Sequence, residues 1–83
     1  MKPHITIFQR DGCHLCELAV NQLKELQADF EFELREVDIE SDDQLHQRYL
    51  ERIPVIALAD EELYDFEIDL ADLKTRLSEL NGR

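Results

Sequence analysis

The chain has 83 residues, of which 43% are hydrophobic and 35% charged, and its formal net charge is −11. A chain of this length has room for one small core, so we expect a single domain spanning residues 1–83. The acidic surplus would repel a phosphate backbone, which argues against nucleic acid as a partner, and no apolar run approaches the length of a membrane span. We interpret the charge as the solvated surface of a monomer, with a preference for basic protein partners as the alternative.

The first four residues, Met1 to His4, lead into a predicted strand without the apolar stretch of a signal peptide. We therefore expect a cytoplasmic location. Cellular thiols keep cysteines reduced in that compartment, and a crosslink that closes a very short loop adds little stability. The two cysteines are consequently not expected to act as a structural staple.

The first predicted strand covers residues 4–9 and has apolar side chains on both faces, which is typical of an inner strand. The turn that follows contains Gly12, where we expect the backbone to approach other backbone or a substrate closely. A helix then extends to about Gln27. The next apolar stretch, residues 30–39, changes its alternation near its middle, which predicts either a bulge or a late start of the second strand.

Both cysteines lie at the junction between the first strand and the first helix, in the segment Asp11 to Cys16. The first turn of a helix leaves backbone N–H groups unpaired. Together with the helix dipole they favour an anion, so a thiolate at Cys13 is stabilised over the thiol. Cys13 is therefore the candidate nucleophile. Cys16, one turn further along the same helix face, lies within reach of a disulfide and is the candidate resolving thiol.

The middle of the chain predicts a short helix followed by a strand. Ser41 as N-cap and Gln44 three residues later match a capping box, and the helix that they open ends near Leu50. Pro54 begins the apolar strand that follows, although proline has no N–H to donate to a sheet ladder. The position of Pro54 therefore needs an explanation other than strand formation.

The last third of the chain predicts a hairpin and a closing helix. A tight turn at Asp60-Glu61 leads to a fourth strand, in which Tyr64 and Phe66 are assigned to the core, with the border of a substrate groove as the alternative. Asp69 is the predicted N-cap of the final helix and Gly82 its predicted C-cap. Leucines at helical spacing predict the buried side of that helix: Leu70, Leu73, Leu77 and Leu80. The element order βαβαββα predicts an α/β fold with a four-stranded mixed sheet and helices on both faces.

A Cys-x-x-Cys pair at the start of the first helix and an apolar-Pro dipeptide at the start of the third strand resemble the thioredoxin fold, and the chain length is closest to glutaredoxin. More narrowly, the segment Phe8 to Cys16 together with Arg52 to Val55 is similar to a family of small, mostly bacterial glutaredoxin-like proteins that carry Cys-His-Leu-Cys. The resemblance covers nearly the whole chain and implies a thioredoxin/glutaredoxin-like fold. It also implies that Cys13 attacks, that Cys16 resolves the mixed disulfide, and that Pro54 is cis and packs beside the two sulfurs.

Three further residues are candidates for substrate binding, in addition to Pro54. The resemblance implies that Ile53 offers its main chain to an extended thiol substrate. It also places Arg10 where many glutaredoxins keep a lysine that contacts glutathione, with an ordinary surface arginine as the alternative. His14, if protonated, would stabilise the neighbouring thiolate, with a solvent-facing imidazole as the alternative.

Two departures from glutaredoxins argue against glutathione as the natural partner. Glutaredoxins usually place a Gly-Gly pair where this chain has Leu63 to Glu67, and the acidic side chains here should repel a carboxylate of glutathione. The usual Pro-Tyr between the cysteines is His-Leu here, which removes a tyrosine that often lines the glutathione groove.

The sequence therefore predicts a thiol-disulfide oxidoreductase that acts on protein or low-molecular-weight thiols and disulfides and requires no cofactor. One alternative is metal or iron-sulfur binding through the cysteine pair, although a single Cys-x-x-Cys supplies only half of the four ligands that zinc prefers. Another is a non-catalytic adaptor that keeps the fold and uses its acidic surface for a protein partner.

Overall fold

The computed structural model describes residues 2–82, so the two ends of the predicted domain, Met1 and Arg83, lie outside the described residues. Its elements follow the predicted order βαβαββα, with one added 3₁₀ helix. In chain order they are β1 (His4–Gln9), α1 (His14–Leu26), β2 (Glu33–Asp38), the 3₁₀ helix (Ile39–Ser41), α2 (Asp43–Tyr49), β3 (Val55–Leu58), β4 (Glu61–Asp65) and α3 (Leu70–Asn81).

The four strands form one mixed sheet in the order β2-β1-β3-β4. Strand β1 pairs parallel with β2 and antiparallel with β3, and it is an inner strand, as its two apolar faces predicted. Phe8, near the end of β1, faces Val55, the first residue of β3, and Val55 in turn faces Asp65, the last residue of β4. The end of β1, the start of β3 and the end of β4 therefore meet at one end of the sheet.

Helices cover both faces of this sheet, as predicted. On the first face, α1 and α3 pack on β1 and β3 around a large apolar core. On the second face, α2 packs a smaller cluster against the sheet, in which the rings of Phe8 and Tyr49 stack with their centroids 4.2 Å apart. The buried members of the large core are Ile5, Ile7, Ala19, Val20, Leu23, Leu26, Phe32, Ile56, Leu73 and Leu77, and those of the smaller cluster are Ile39, Tyr49 and Val55.

The two outer strands of the sheet are rich in charge. Four of the six residues of β2 and three of the five residues of β4 are charged. Strand β2 extends from Glu33 to Asp38 and pairs with β1 in unbroken register, so neither a bulge nor a late start lies at Arg35-Glu36, where the alternation changes. Leu34 and Val37 lie on opposite faces of the sheet, and each is partly buried because both faces are covered.

The predicted capping box of α2 is wrong. Asp42 is the N-cap, and its carboxylate accepts hydrogen bonds from the backbone N–H groups of Gln44, at 2.7 Å, and Leu45, at 3.4 Å. Ser41 instead ends the 3₁₀ helix and donates its hydroxyl to the carbonyl of Asp38. A carboxylate interacts more favourably than a hydroxyl with the positive end of a helix, which explains why the aspartate takes the cap.

The closing hairpin and helix agree with prediction in outline and differ at two positions. The turn lies one residue earlier, at Ala59-Asp60, with Ala59 at a φ of 54°. Asp69 and Gly82 cap α3 as predicted. Leu80, however, is 50% exposed. It lines a surface pocket with Leu58, the last residue of β3, and with Arg76 and Glu79, so it lies at the rim of the core and not inside it.

Candidate redox site

Cys13 and Cys16 lie at the start of α1 with their sulfur atoms at disulfide distance and their Cα atoms 5.2 Å apart. Cys13 is the N-cap of the helix, and its sulfur accepts a hydrogen bond from the backbone N–H of Cys16 at 3.2 Å. The helix start therefore directs an N–H group and the positive end of its dipole at the Cys13 sulfur. In the reduced protein this arrangement favours a thiolate there.

The two cysteines differ in their exposure to solvent. Cys13 is partly exposed, whereas Cys16 is fully buried. A substrate approaching from solvent can therefore reach the sulfur of Cys13 and not that of Cys16. This difference supports the predicted order, in which Cys13 attacks first.

Gly12 is required at the turn before the cysteines by its backbone angle and not by the predicted approach of other backbone, while the approach of a substrate stays a prediction. Its φ is 78°, in the left-handed region that glycine adopts without a steric penalty. A Cβ atom placed on Gly12 would meet no heavy atom within 4 Å, so close approach to other backbone is not the constraint. The backbone angle itself selects glycine here.

Ile53 and Pro54 lie at the end of the sheet where β1 ends and β3 begins. The peptide bond between them is cis, Pro54 is buried, and Ile53 packs in part against the smaller apolar cluster. The carbonyl of Pro54 accepts a hydrogen bond from the N–H of Phe66 at 2.8 Å. This bond ties the segment that follows β4 to the start of β3.

Arg10 and His14 flank Cys13 along the chain, and both are exposed. Within residues 2–82, the hydrogen bond from Cys16 is the only one that the Cys13 sulfur receives, and neither Arg10 nor His14 contributes one. Both side chains are therefore near Cys13 in sequence, but neither is hydrogen-bonded to its sulfur. Their roles remain predictions.

The assignment of Phe66 to the core is wrong. Tyr64 packs against the large core and donates its hydroxyl to Asp72, but Phe66 is 50% exposed and has a φ of 68°. Strand β4 ends at Asp65, so the alternation that predicted Phe66 to point inward stops one residue too early. The sequence did contain a signal, because glutaredoxins keep glycines in this region and glycine is the residue that tolerates a positive φ.

The exposed side chain of Phe66 borders a groove of about 300 Å³ between α1 and the segment that links β4 to α3. The alternative for Phe66, a position that borders a groove, is therefore the one that the structure shows. Sequence reasoning did not identify the face of α1 that forms the other side of this groove. The lining residues are Leu15, Leu18, Ala19, Gln22, Phe66, Glu67 and Ile68.

A polar network on the second face of the sheet was also missed. Arg52 donates to Asp65 at 3.0 and 3.1 Å and to Glu62 at 2.6 Å, and the hydroxyl of Tyr49 donates to Glu62 at 2.8 Å. The hydrogen bonds from Arg52 and then from Tyr49 lower the pKa of Glu62. Burial, followed by the hydrogen bond to Glu62, raises the pKa of Tyr49. Arg52 directly precedes Ile53, so the network anchors the loop that carries the cis peptide.

The part of the chain that the structure describes contains neither a cluster of metal ligands nor a membrane-spanning helix. Within residues 2–82, no three or more His, Cys, Asp or Glu side chains are grouped so that they could hold a metal ion. No helix in the same part of the chain is long and apolar enough to cross a membrane.

The fold and the cysteine pair together define a thioredoxin-fold protein with a disulfide-forming Cys-x-x-Cys. A family model described as Glutaredoxin-like domain (DUF836) matches residues 4–78, and the chain belongs to this glutaredoxin-like family. No curated protein matches the chain significantly.

Solved structures agree with this assignment. The chain is similar to protein Ne2328 from Nitrosomonas europaea, with 31% identity, 94% of each chain covered and a TM-score of 0.82. It is also similar to protein XcR50 from X. campestris, with 34% identity, a TM-score of 0.71, and coverage of 90% of this chain and 96% of that one. Thioredoxin from Halobacterium salinarum, in an N21Q mutant, shares the fold at 17% identity with a TM-score of 0.65, over 96% of this chain and 75% of that one. The fold, the family and the paired cysteines support a redox-type function.

Proposed function

We propose that this protein is a dithiol-disulfide oxidoreductase in which Cys13 attacks and Cys16 resolves. The observation that carries the proposal is the arrangement of the pair: a partly exposed cysteine whose sulfur caps a helix, beside a fully buried cysteine at disulfide distance. The first is accessible and favoured as a thiolate, and the second is protected from solvent and positioned to displace whatever binds the first.

The reaction balances without a cofactor. The Cys13 thiolate forms a bond with one sulfur of a substrate disulfide, and the other substrate sulfur leaves as a thiolate and takes up a proton. Cys16 then loses its proton and attacks the Cys13 sulfur, which forms the protein disulfide and releases the second substrate thiol. Two electrons pass from the protein dithiol to the substrate, and an external thiol reductant restores the dithiol by the reverse exchange.

The residues around the pair support substrate binding from the same side. Ile53 would offer its main chain to an extended thiol substrate, because the Ile53–Pro54 segment lies at the end of the sheet that leads into the cysteine loop. Arg10 supplies an exposed cation beside Cys13, where the departing thiolate develops negative charge, and His14 would add a second one if protonated. We propose protein or low-molecular-weight disulfides as substrates, in the cytoplasm.

The test is equilibration of the pure protein in glutathione redox buffers, followed by acid quenching, alkylation and mass measurement. We expect a reversible Cys13–Cys16 disulfide with a reduction potential between about −270 and −120 mV, the range of known dithiol oxidoreductases. If both thiols remain free across that whole range, the protein does not cycle under cellular conditions and the proposal is wrong.

Two variants separate the roles of the cysteines. Cys13→Ser should abolish thiol exchange, because the accessible sulfur is lost. Cys16→Ser should accumulate a stable mixed disulfide at Cys13, detectable as an added mass that a reductant removes. Exchange that persists in Cys13→Ser would contradict the assigned order.

A further inference from the structure

We propose that the groove beside the cysteine pair selects protein disulfides in which the reacting cysteine is flanked by an apolar and a basic side chain. This inference rests on the proposed oxidoreductase function and names its substrate class. Three features of the groove carry it: its apolar walls, the backbone of Phe66, and the charge at its rim.

The walls of the groove are large apolar side chains that are unusually exposed. Leu15, Leu18 and Phe66 are 46%, 47% and 50% exposed, and all three line the same groove. Leu15 lies between the two cysteines in sequence, and the N–H of Phe66 is bonded to the carbonyl of Pro54. The apolar surface therefore begins at Leu15, one residue from Cys16 and two from Cys13, close to where the part of a substrate next to its disulfide must lie.

Phe66 is held in a backbone conformation that disfavours a bulky residue. Its φ of 68° lies in the left-handed region, which glycine would occupy without the steric cost. Two backbone hydrogen bonds fix the turn, from Phe66 to Pro54 at 2.8 Å and from Glu67 to Asp65 at 2.7 Å. The phenyl ring of Phe66 is half exposed and close to the cysteines, and the chain keeps it there at a conformational cost. This combination indicates that the ring contacts a ligand.

The rim of the groove carries an acidic side chain without a cationic partner. Glu67 lines the groove, is exposed, and makes no ion pair with any of residues 2–82, whereas the neighbouring Asp65 is paired with Arg52. On a chain of net charge −11, such a carboxylate attracts cations and repels the carboxylates of glutathione. The occupant that fits both features is a protein segment with an apolar side chain and a lysine or arginine near its cysteine.

The test measures how fast the reduced protein attacks short peptides that each hold one cysteine as a mixed disulfide with thionitrobenzoate, whose release is coloured. The peptides carry leucine or serine on either side of the cysteine and lysine or glutamate at the next position. We expect the leucine-lysine peptides to react about tenfold faster than the serine-lysine peptides, a factor typical of one apolar contact. Raising the salt concentration should reduce only the lysine-dependent part of this preference.

Matched variants assign the preference to the groove. Phe66→Ala should remove most of the preference for leucine, and Phe66→Leu should retain it, whereas Leu80→Ala, which truncates an equally exposed leucine on α3, should leave it unchanged. Glu67→Gln should remove the preference for lysine, worth about two- to fivefold for an exposed charge pair, and Glu79→Gln should not.

The outcomes separate this inference from the proposed function. If no disulfide reacts, including free dithiobis-nitrobenzoate, the oxidoreductase proposal itself fails. If all peptides react at one rate, or if oxidised glutathione reacts fastest, the protein is an oxidoreductase and the substrate inference is wrong. A wild-type dimer that Phe66→Ala converts to a monomer in sedimentation would show that a second copy covers the groove, which would also overturn it.

Discussion

The two faces of the sheet are held by different interactions. On the first face, α1 and α3 enclose ten buried apolar residues. On the second face, α2 buries only three, and a polar network of Arg52, Glu62, Asp65 and the Tyr49 hydroxyl joins the loop before β3 to strand β4. The first face therefore supplies most of the hydrophobic stabilisation of the fold, whereas the second fixes the position of the segment that carries Ile53 and Pro54.

The largest loss of stability is expected from a substitution in the apolar core of the first face. Leu77→Ala removes a fully buried side chain from the large core, so we expect the free energy of unfolding to fall by about 2 to 5 kcal/mol. Urea denaturation of the oxidised protein measures this change. Leu80→Ala on the same helix is the control, because a half-exposed leucine should cost less than about 0.5 kcal/mol. Equal effects of the two substitutions would contradict the burial pattern of α3.

The next largest loss of stability is expected from a substitution in the polar network of the second face. Arg52→Ala leaves the carboxylates of Glu62 and Asp65 without their main partner, so we expect a loss of about 1 to 3 kcal/mol in the free energy of unfolding. The rate of disulfide exchange should fall as well, because the loop before Pro54 loses its anchor. Arg48 also contacts Glu62 but is 66% exposed, so Arg48→Ala should cost less than about 0.5 kcal/mol and leave the rate unchanged.

The pH dependence of stability tests the contribution of the polar network on the second face separately from that of the apolar core. The pKa of Glu62 is lowered in the folded protein, so its contribution is fully present above its ordinary value of 4.5 and is lost as the pH falls through the lower folded pKa. Glu62→Gln should therefore flatten the fall in stability below about pH 4.5. In an Arg52→Ala background, Glu62→Gln should have a smaller effect on the pH dependence of the free energy of unfolding. Identical effects in both backgrounds would show that Arg52 is not the cause of the lowered pKa.

The smallest effect concerns the segment that follows β4. Phe66→Gly relieves the cost of the left-handed backbone, whereas Phe66→Ala retains it, and both variants lose the same phenyl ring. We expect the glycine variant to exceed the alanine variant by about 1 kcal/mol in free energy of unfolding. Thermal or urea unfolding of the pair measures the difference. A more stable alanine variant would show that Phe66 is not strained.

The parts of the fold that follow from local patterns could be predicted. The element order, the inner position of β1 and the cap at Asp69 depend on periodicity and on side chains that act on their own neighbours, and all three are confirmed. The placement of both cysteines at the start of α1 could be predicted for the same reason. The competition between Ser41 and Asp42 for one cap could not, since both satisfy the pattern and the difference lies in the strength of the acceptor.

The features that sequence reasoning missed depend on where elements end and on contacts between distant residues. Phe66 leaves the core because β4 stops one residue before it, and element boundaries are poorly marked in sequence. Arg52 meets Glu62 and Asp65 only after the hairpin has formed, and nothing in the spacing of these residues indicates it. The groove beside α1 depends on the first of these features, because Phe66 forms one of its walls.

Open strand edges invite a second chain to extend a sheet, which is a common route to aggregation. Here the acidic surplus of β2 and β4 would bring like charges within one strand spacing of each other if two copies joined edge to edge. This protection is electrostatic, so it weakens when carboxylates take up protons and when salt screens them. Concentrated solutions should therefore stay clear at neutral pH and low ionic strength, and turbidity should appear first in mildly acidic, salty buffers.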